Sequence, residues 1–219
     1  MSGQRASAFD ELAVVGKAFA SAKRLQIIEL LAQSPHSVDQ IVQLTGLGLS
    51  TVSAHLQILR AARLATSSRA GTRVIYRLAG DDVANLFASL GATARTHSPD
   101  VSAALGAYLG SGGDVVEEVG REDLLDRLAS GQVTLLDVRP PEEYRAGHIP
   151  GAVSMPLEEL ADQIAAVPAG DLVAYCRGAY CVLASDAVSL LHSAGRPASR
   201  LQDGMLEWRM CGLPVEQVT

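Results

Sequence analysis

SVDQIVQLTGLGLSTVSAHLQILRAARL, residues 37–64, decides how the first half of the chain is read. Its apolar residues recur at helical spacing, in two short stretches that meet across Gly46 to Leu49. The first runs from Ser37 to Leu44 and closes at Gly46, since glycine readily takes the left-handed conformation that ends helices. The second begins with Ser50 as its N-cap. Within it Val52, Leu56 and Leu59 stand at i, i+4 and i+7, a stripe that packing must bury. Ser50, Thr51, Ser53, Gln57 and Arg60 then fall on or beside the opposite face, and His55 is expected to act there as a further donor. Hydroxyls and amides on a slim outer face suit a helix lying in the major groove of double-stranded DNA, where they reach base edges.

Working outward, a helix is expected over Ser21 to Gln33, with Ser21 as cap and Pro35 as stop. Downstream, Leu64 to Arg69 and Arg73 to Leu78 read as two strands joined by Ala70-Gly71-Thr72, a hairpin wing. Arg69, Arg73 and Arg77 space three guanidiniums along it, where they would meet backbone phosphates or the adjoining minor groove. His36, His55 and His97 lie far apart and lack the paired spacing of a metal site, so no metal is expected; His36 reads as a loop residue.

Charge divides the chain in the same place. Residues 1–97 hold ten Lys/Arg against six Asp/Glu, formally +4; residues 98–219 hold eight against eighteen, −10; together they give −6. The first half can approach phosphate and the second is repelled by it. Breakers cluster at Thr96 to Pro99 and Gly110 to Gly113, which sets the expected boundaries at 1–97 for the first domain, 98–114 for a linker and 115–219 for the second domain. Periodicity does not decide whether Val101 to Leu109 is helical. Met1 to Leu12 reads as mature sequence rather than a signal peptide, and no apolar run reaches the ~18 residues of a membrane span. Three cysteines, Cys176, Cys181 and Cys211, make an odd set, which points to a reducing, cytoplasmic setting rather than a disulfide framework.

Beyond residue 115, strand-like and helical runs alternate, so the second domain is expected to be α/β with a mainly parallel sheet. Strands are expected at Val133 to Leu136, Ala152 to Met155, Leu172 to Tyr175 and Ser199 to Leu201, with helices starting behind Pro140-Pro141 and behind Pro156. The sharpest feature is VAYCRGAYC, residues 173–181: a buried strand ends in Cys176, a short loop follows, and a helix runs on to about Ala194. Backbone N–H groups and a helix N-terminus directed at the sulfur, helped by Arg177, would lower its pKa and make it a nucleophile. Cys211 is expected to be buried packing.

Two resemblances follow from these motifs. AFASAKRLQIIELLAQ, the 37–64 stretch, the wing and TRVIYRL together resemble the ArsR/SmtB winged-helix repressors over about residues 8–95. The resemblance implies a homodimer formed through the first and last helices, roughly Phe9 to Ala20 and Asp81 to Arg95, and a two-fold operator. LLDVRPPEEYRAGHIPGAVSMPLEEL, the Cys176 loop and LQDGMLEWRMCGLPVE resemble the rhodanese sulfurtransferases over about residues 115–217. That implies a persulfide on Cys176, a six-residue loop completed by Arg177, Gly178, Ala179, Tyr180 and Cys181, a brace from Asp137 and Arg139, a structural His148, and Gly204 and Trp208 packing the last helix. Small sulfur species would be its partners, and no cofactor is implied. The loop departs from the family at its last position, Cys181, and in carrying glycine at 178 rather than one place later. Cys181 is either a resolving thiol or a small apolar residue. Two function classes remain open: a regulator that senses sulfur or oxidant through Cys176, and a sulfurtransferase with an accessory DNA-binding domain.

Overall fold

The computed structural model describes residues 2–109 and 116–218, with side chains from residue 7 onward. The Gly110-to-Gly113 run lies outside the described residues. Two compact units result, Met1–Gly91 and Ala92–Thr219.

The first unit contains α1 (Ser2–Phe19), α2 (Ala22–Gln33), β1 (His36–Ser37), α3 (Val38–Thr45), α4 (Leu49–Ala61), β2 (Ala65–Ala70) and β3 (Arg73–Leu78), and α5 (Asp81–His97) begins in it. Ser37 closes a reciprocal cap on α3: Gln40 N–H donates to Ser37 Oγ at 3.2 Å and Ser37 N–H to Gln40 Oε1 at 2.8 Å. Gly46 ends that helix at φ +67°, as its position implied. The stripe Val52, Leu56 and Leu59 is fully buried against Ile27, Ile28 and Ile41. The start of α4 departs from expectation. Gly48 is the N-cap, with its carbonyl accepting from Val52 N–H at 3.0 Å, so Ser50 already lies inside the first turn. Ser21 stands at the N-cap position of α2, but its side chain makes no capping bond.

His36 is not a loop residue. It forms β1, paired antiparallel with Tyr76 of β3, and is buried with its Nε2 3.1 Å from Ser34 Oγ. A two-residue strand is invisible locally because its only reason to exist is a partner forty positions on. β2 and β3 form the hairpin, with Ala70 opposite Arg73 and Gly71 at φ +61° in the turn. Helix α4 hands over to β2 through Arg63, at φ +59°, with Leu64 N–H bonding back to the Leu59 carbonyl at 2.9 Å.

The second unit contains α6 (Pro99–Leu109), β4 (Glu118–Val119), α7 (Arg121–Ala129), β5 (Val133–Asp137), α8 (Pro141–Ala146), β6 (Val153–Ser154), α9 (Leu157–Gln163), a 3-10 turn (Ile164–Ala166), β7 (Asp171–Tyr175), α10 (Leu183–Ser193), β8 (Ala198–Leu201) and α11 (Met205–Met210). The stretch read as a linker is therefore helical over Pro99–Leu109. The five strands lie in the order β4-β8-β7-β5-β6 and every pairing is parallel. β7 lies at the centre, and its side chains alternate between two apolar cores. Leu172, Ala174 and Cys176 face one, with α9 and α10; Val173 and Tyr175 face the other, with Leu124 and Trp208. Cys176 thus inherits its orientation from the pleat of the strand it terminates.

Candidate functional site

Two regions carry the side chains singled out in the sequence. On α4, Ser50, Gln57 and Arg60 are exposed, and Thr51 and Ser53 are half-buried beside them. His55 departs from this set. It sits on the flank of the helix, half-buried, with Nδ1 3.5 Å from Arg24 Nη1. Burial, then the charges of Arg24 and Lys23, lower its pKa, so it is a neutral ring held against α2 rather than a cation facing outward. Arg24 in turn donates to the Ala18 and Lys17 carbonyls at 2.5 and 2.7 Å, tying α2 to the end of α1. The outer face is also less uniformly polar than expected, because Leu49 and Ile58 are exposed on it. Their signal was present: Leu49 precedes the buried stripe, and Ile58 falls off its period.

In the wing the three arginines separate. Cross-strand partners share a face, so Arg73 (opposite Ala70) and Arg77 (opposite Thr66) project together, whereas Arg69 (opposite Val74) shares the face of buried Tyr76. Arg77 Nε donates to Thr66 Oγ1 at 3.3 Å; Arg69 and Arg73 are exposed. The hairpin therefore presents guanidiniums on both of its sides rather than in one row.

The second region is built where β5 and β7 end side by side, Asp137 in register with Tyr175. At the carboxyl ends of parallel strands, loops rather than ladder bonds occupy the edge, which is where α/β folds place their chemistry. Asp137 and Arg139 are both fully buried and form a forked pair, with Nε to Oδ1 at 2.9 Å and Nη2 to Oδ2 at 2.5 Å. Burial works against the Arg139 charge, but the Asp137 hydrogen bonds and charge outweigh it and raise the pKa. Tyr175 Oη donates to Asp137 Oδ2 at 2.5 Å and accepts from Ile149 N–H at 3.1 Å; Arg139 Nη2 reaches the Gly147 carbonyl at 2.8 Å. The pair thus grips Tyr175, the residue before Cys176, and the turn after α8.

Two carboxylates that sequence reasoning missed hold the loop itself. Glu143, fully buried on α8, takes Arg177 in a fork at 2.7–3.0 Å. Glu207 on α11 accepts Ala179 N–H at 3.3 Å and Gly204 N–H at 3.1 Å. The Cys176 and Arg177 carbonyls accept the N–H groups of Met205 and Leu206, both at 2.9 Å. Gly204 lies so close that an added Cβ would stand 2.5 Å from Gly178 Cα and 2.7 Å from the Cys176 carbonyl oxygen, so no side chain fits there. Gly204 therefore seats the loop, while Trp208 packs α11, its Nε1 donating to the Pro214 carbonyl at 2.8 Å. Gly178 and Ala179 are buried in the loop, and Tyr180 is half-buried with the Arg95 guanidinium 5.4 Å over its ring. His148 is structural, stacked on Tyr144 at 3.8 Å.

Cys176 and Cys181 are 2% and 6% exposed. The Cys176 thiol donates to the Cys181 carbonyl at 3.3 Å. Burial, then the hydrogen bond and charge of the Cys181 side chain, push the Cys176 pKa well up; the N–H groups of Gly178 and Ala184 pull the other way without overcoming them. This reverses the expected depressed pKa. The backbone donors exist as foreseen, but desolvation outweighs them, and the guanidinium of Arg177 is occupied by Glu143. Cys211, expected to be buried, is exposed at the C-cap of α11. Among the described residues no group of three or more His, Cys, Asp or Glu side chains is placed to hold a metal ion, and no helix is long and apolar enough to cross a membrane.

The sequence matches the bacterial regulatory protein arsR family over residues 21–67 and the rhodanese-like domain over residues 120–211. It is 51% identical over 217 residues to the HTH-type transcriptional regulator Rv0324 of Mycobacterium tuberculosis, covering 99% of this chain and 95% of that one. A sulfurtransferase of Allochromatium vinosum is 32% identical over 103 residues, 46% of this chain and 95% of its own length. Among solved structures, the homodimeric winged helix-turn-helix DNA-binding domain of Mb0332 from Mycobacterium bovis matches with 45% identity and a TM-score of 0.43, over 46% of this chain and 93% of that one. Helix, turn, reading helix and wing in front, and a parallel sheet ending in a cysteine loop behind, are thereby accounted for together: the chain belongs to the ArsR family of HTH-type transcriptional regulators, in a form that carries a rhodanese-like domain.

Proposed function

We propose that this regulator binds a two-fold operator as a homodimer in the cytoplasm, and that sulfur transfer to Cys176 changes its operator affinity. The observation that carries the sensing half is the placement of a thiol at the carboxyl end of the central strand, in a loop seated on α11 whose Gly178 and Ala184 N–H groups act to lower its pKa. In the closed loop they are outweighed by burial. Once a persulfide extends the side chain, the same donors stand ready for an anionic terminal sulfur. The exposed side chains Ser50, Gln57, Arg60, Arg69 and Arg73 support the reading of DNA through α4 and the wing. Dimerisation is supported by apolar side chains left in solvent on two helices, Phe9 and Leu12 on α1 and Leu86 and Leu90 on α5.

For a switch, the modified thiol must favour one dimer geometry over another; a coupling of ~1–3 kcal/mol would change affinity ~5–150-fold. Operator binding by reduced, persulfidated and Cys176→Ser protein tests this. The expected result is a shift between the first two forms and none on treating the variant. Equal affinity in all three removes the switch. The similarity to a sulfurtransferase favours a second reading, in which the loop turns over substrate. Rapid cyanide-dependent turnover of thiosulfate with unchanged operator affinity would select it.

A further inference from the structure

We propose that Cys181 is the resolving thiol of this loop: it attacks the inner sulfur of a persulfide on Cys176, closing an intramolecular disulfide and expelling the transferred sulfur as hydrosulfide. The inference rests on the reading of Cys176 as a sulfur acceptor. It begins from placement. After Cys176 the chain doubles back, Cys181 N–H donating to the Gly178 carbonyl at 3.0 Å, and this brings the Cys181 carbonyl to 3.3 Å from Cys176 Sγ. The Cys181 side chain is near enough to help raise the Cys176 pKa. Both belong to one apolar cluster with Leu136, Val138, Ala184 and Val188, and the remaining buried members of that cluster are aliphatic side chains and Met155. A second thiol therefore shares the apolar chamber in which Cys176 would be modified.

The chemistry of that chamber favours resolution. A persulfide is a stronger acid than a thiol, and its anion in apolar surroundings carries a desolvation cost that two N–H donors reduce but do not remove. Attack by Cys181 replaces the anion with a neutral disulfide. In the loading step, the sulfane sulfur of a low-molecular-weight persulfide passes to the Cys176 thiol and the donor leaves as a thiol. In the second, the Cys181 Sγ to Cys176 Sγ bond forms, the bond from Cys176 Sγ to the added sulfur breaks, and the Cys181 proton goes to the departing sulfur. The sulfane sulfur takes up two electrons, the two protein thiols give one each, and no other oxidant enters. The stored signal is then a disulfide, which lasts until a thiol reductant removes it.

The experiment uses the full chain carrying Cys211→Ser, so that the exposed thiol does not compete, with glutathione persulfide as donor and acid-quenched intact mass plus peptide mapping as readout. The parent is expected to lose two hydrogens and yield a peptide joined at 176 and 181. Cys181→Ser, and independently Cys181→Ala, with thermal melting to establish folding, are expected to retain one added sulfur on Cys176 and to show at least about tenfold less of the two-hydrogen loss. A parent that keeps the added sulfur, with no joined peptide, overturns resolution while leaving Cys176 an acceptor. If neither the parent nor the variants are modified at Cys176, the acceptor reading falls and this inference with it.

Discussion

The reading face of the first unit and the thiol loop of the second are built on opposite plans. On α4 and the wing, Ser50, Gln57, Arg60, Arg69 and Arg73 stand in solvent, and the Arg69 and Arg73 side chains take no part in a hydrogen bond or ion pair among the described residues. Around Cys176 the loop is anchored at several points: carbonyls pinned by α11, a guanidinium forked by Glu143, an amide held by Glu207. A surface that must fit a charged polymer gains from side chains that are already free, since each contact then displaces only water and counterions. A thiol shut in an apolar chamber reacts only in rare openings, so its selectivity lies in what opens the loop.

The contrast is broken most forcefully at its buried charge. Arg139→Ala removes the guanidinium that partners Asp137 in a fully enclosed site, and a loss of about 3–5 kcal/mol in the unfolding free energy of the second unit is expected by chemical denaturation. Gly204→Ala forces a Cβ into the Cys176–Gly178 backbone; a loss of roughly 1–3 kcal/mol is expected, with faster alkylation of Cys176 as the loop lifts. A pH series sharpens the difference between the two regions further. The folded Cys176 pKa is raised, so the folded chain keeps a proton that the unfolded chain releases above the ordinary thiol value of about 8.5. Stability from this group is thus complete below that pH and falls as pH climbs beyond it, by up to about 1.4 kcal/mol per unit, and Cys176→Ser should flatten the decline. On the exposed side, Arg73→Ala should leave the melting temperature unchanged and lower the slope of log affinity against log salt by about one, read by titration at several salt concentrations. An unchanged slope would remove Arg73 from phosphate contact.

Elements carried by short-range pattern were legible. The spacing of Val52, Leu56 and Leu59 foretold the buried face of α4, Gly46 the end of α3, and the runs ending at Leu136 and Tyr175 the central strands. What escaped depends on distant partners. Glu143 and Glu207 stand in the first turns of short helices, where an acid is commonplace in sequence, and only the fold shows them reaching Arg177 and Ala179. His36 became a strand through Tyr76, and His55 was drawn to Arg24 across two helices. The acidity of Cys176 was misjudged because the local donors were counted correctly while desolvation, which belongs to the whole packed unit, was not. Cys211 was placed inside because its residue type is usually buried, but it caps a helix end that faces water.

The close approach at Gly204 has one further consequence. With no side chain between them, the backbone of the 176–178 segment rides directly on the start of α11, four residues ahead of Trp208, the single tryptophan of the chain. An event that lifts the thiol loop must also disturb the first turn of that helix and the surroundings of its indole. If sulfur loading lifts the loop, a change in tryptophan emission is expected to report it in real time without any label.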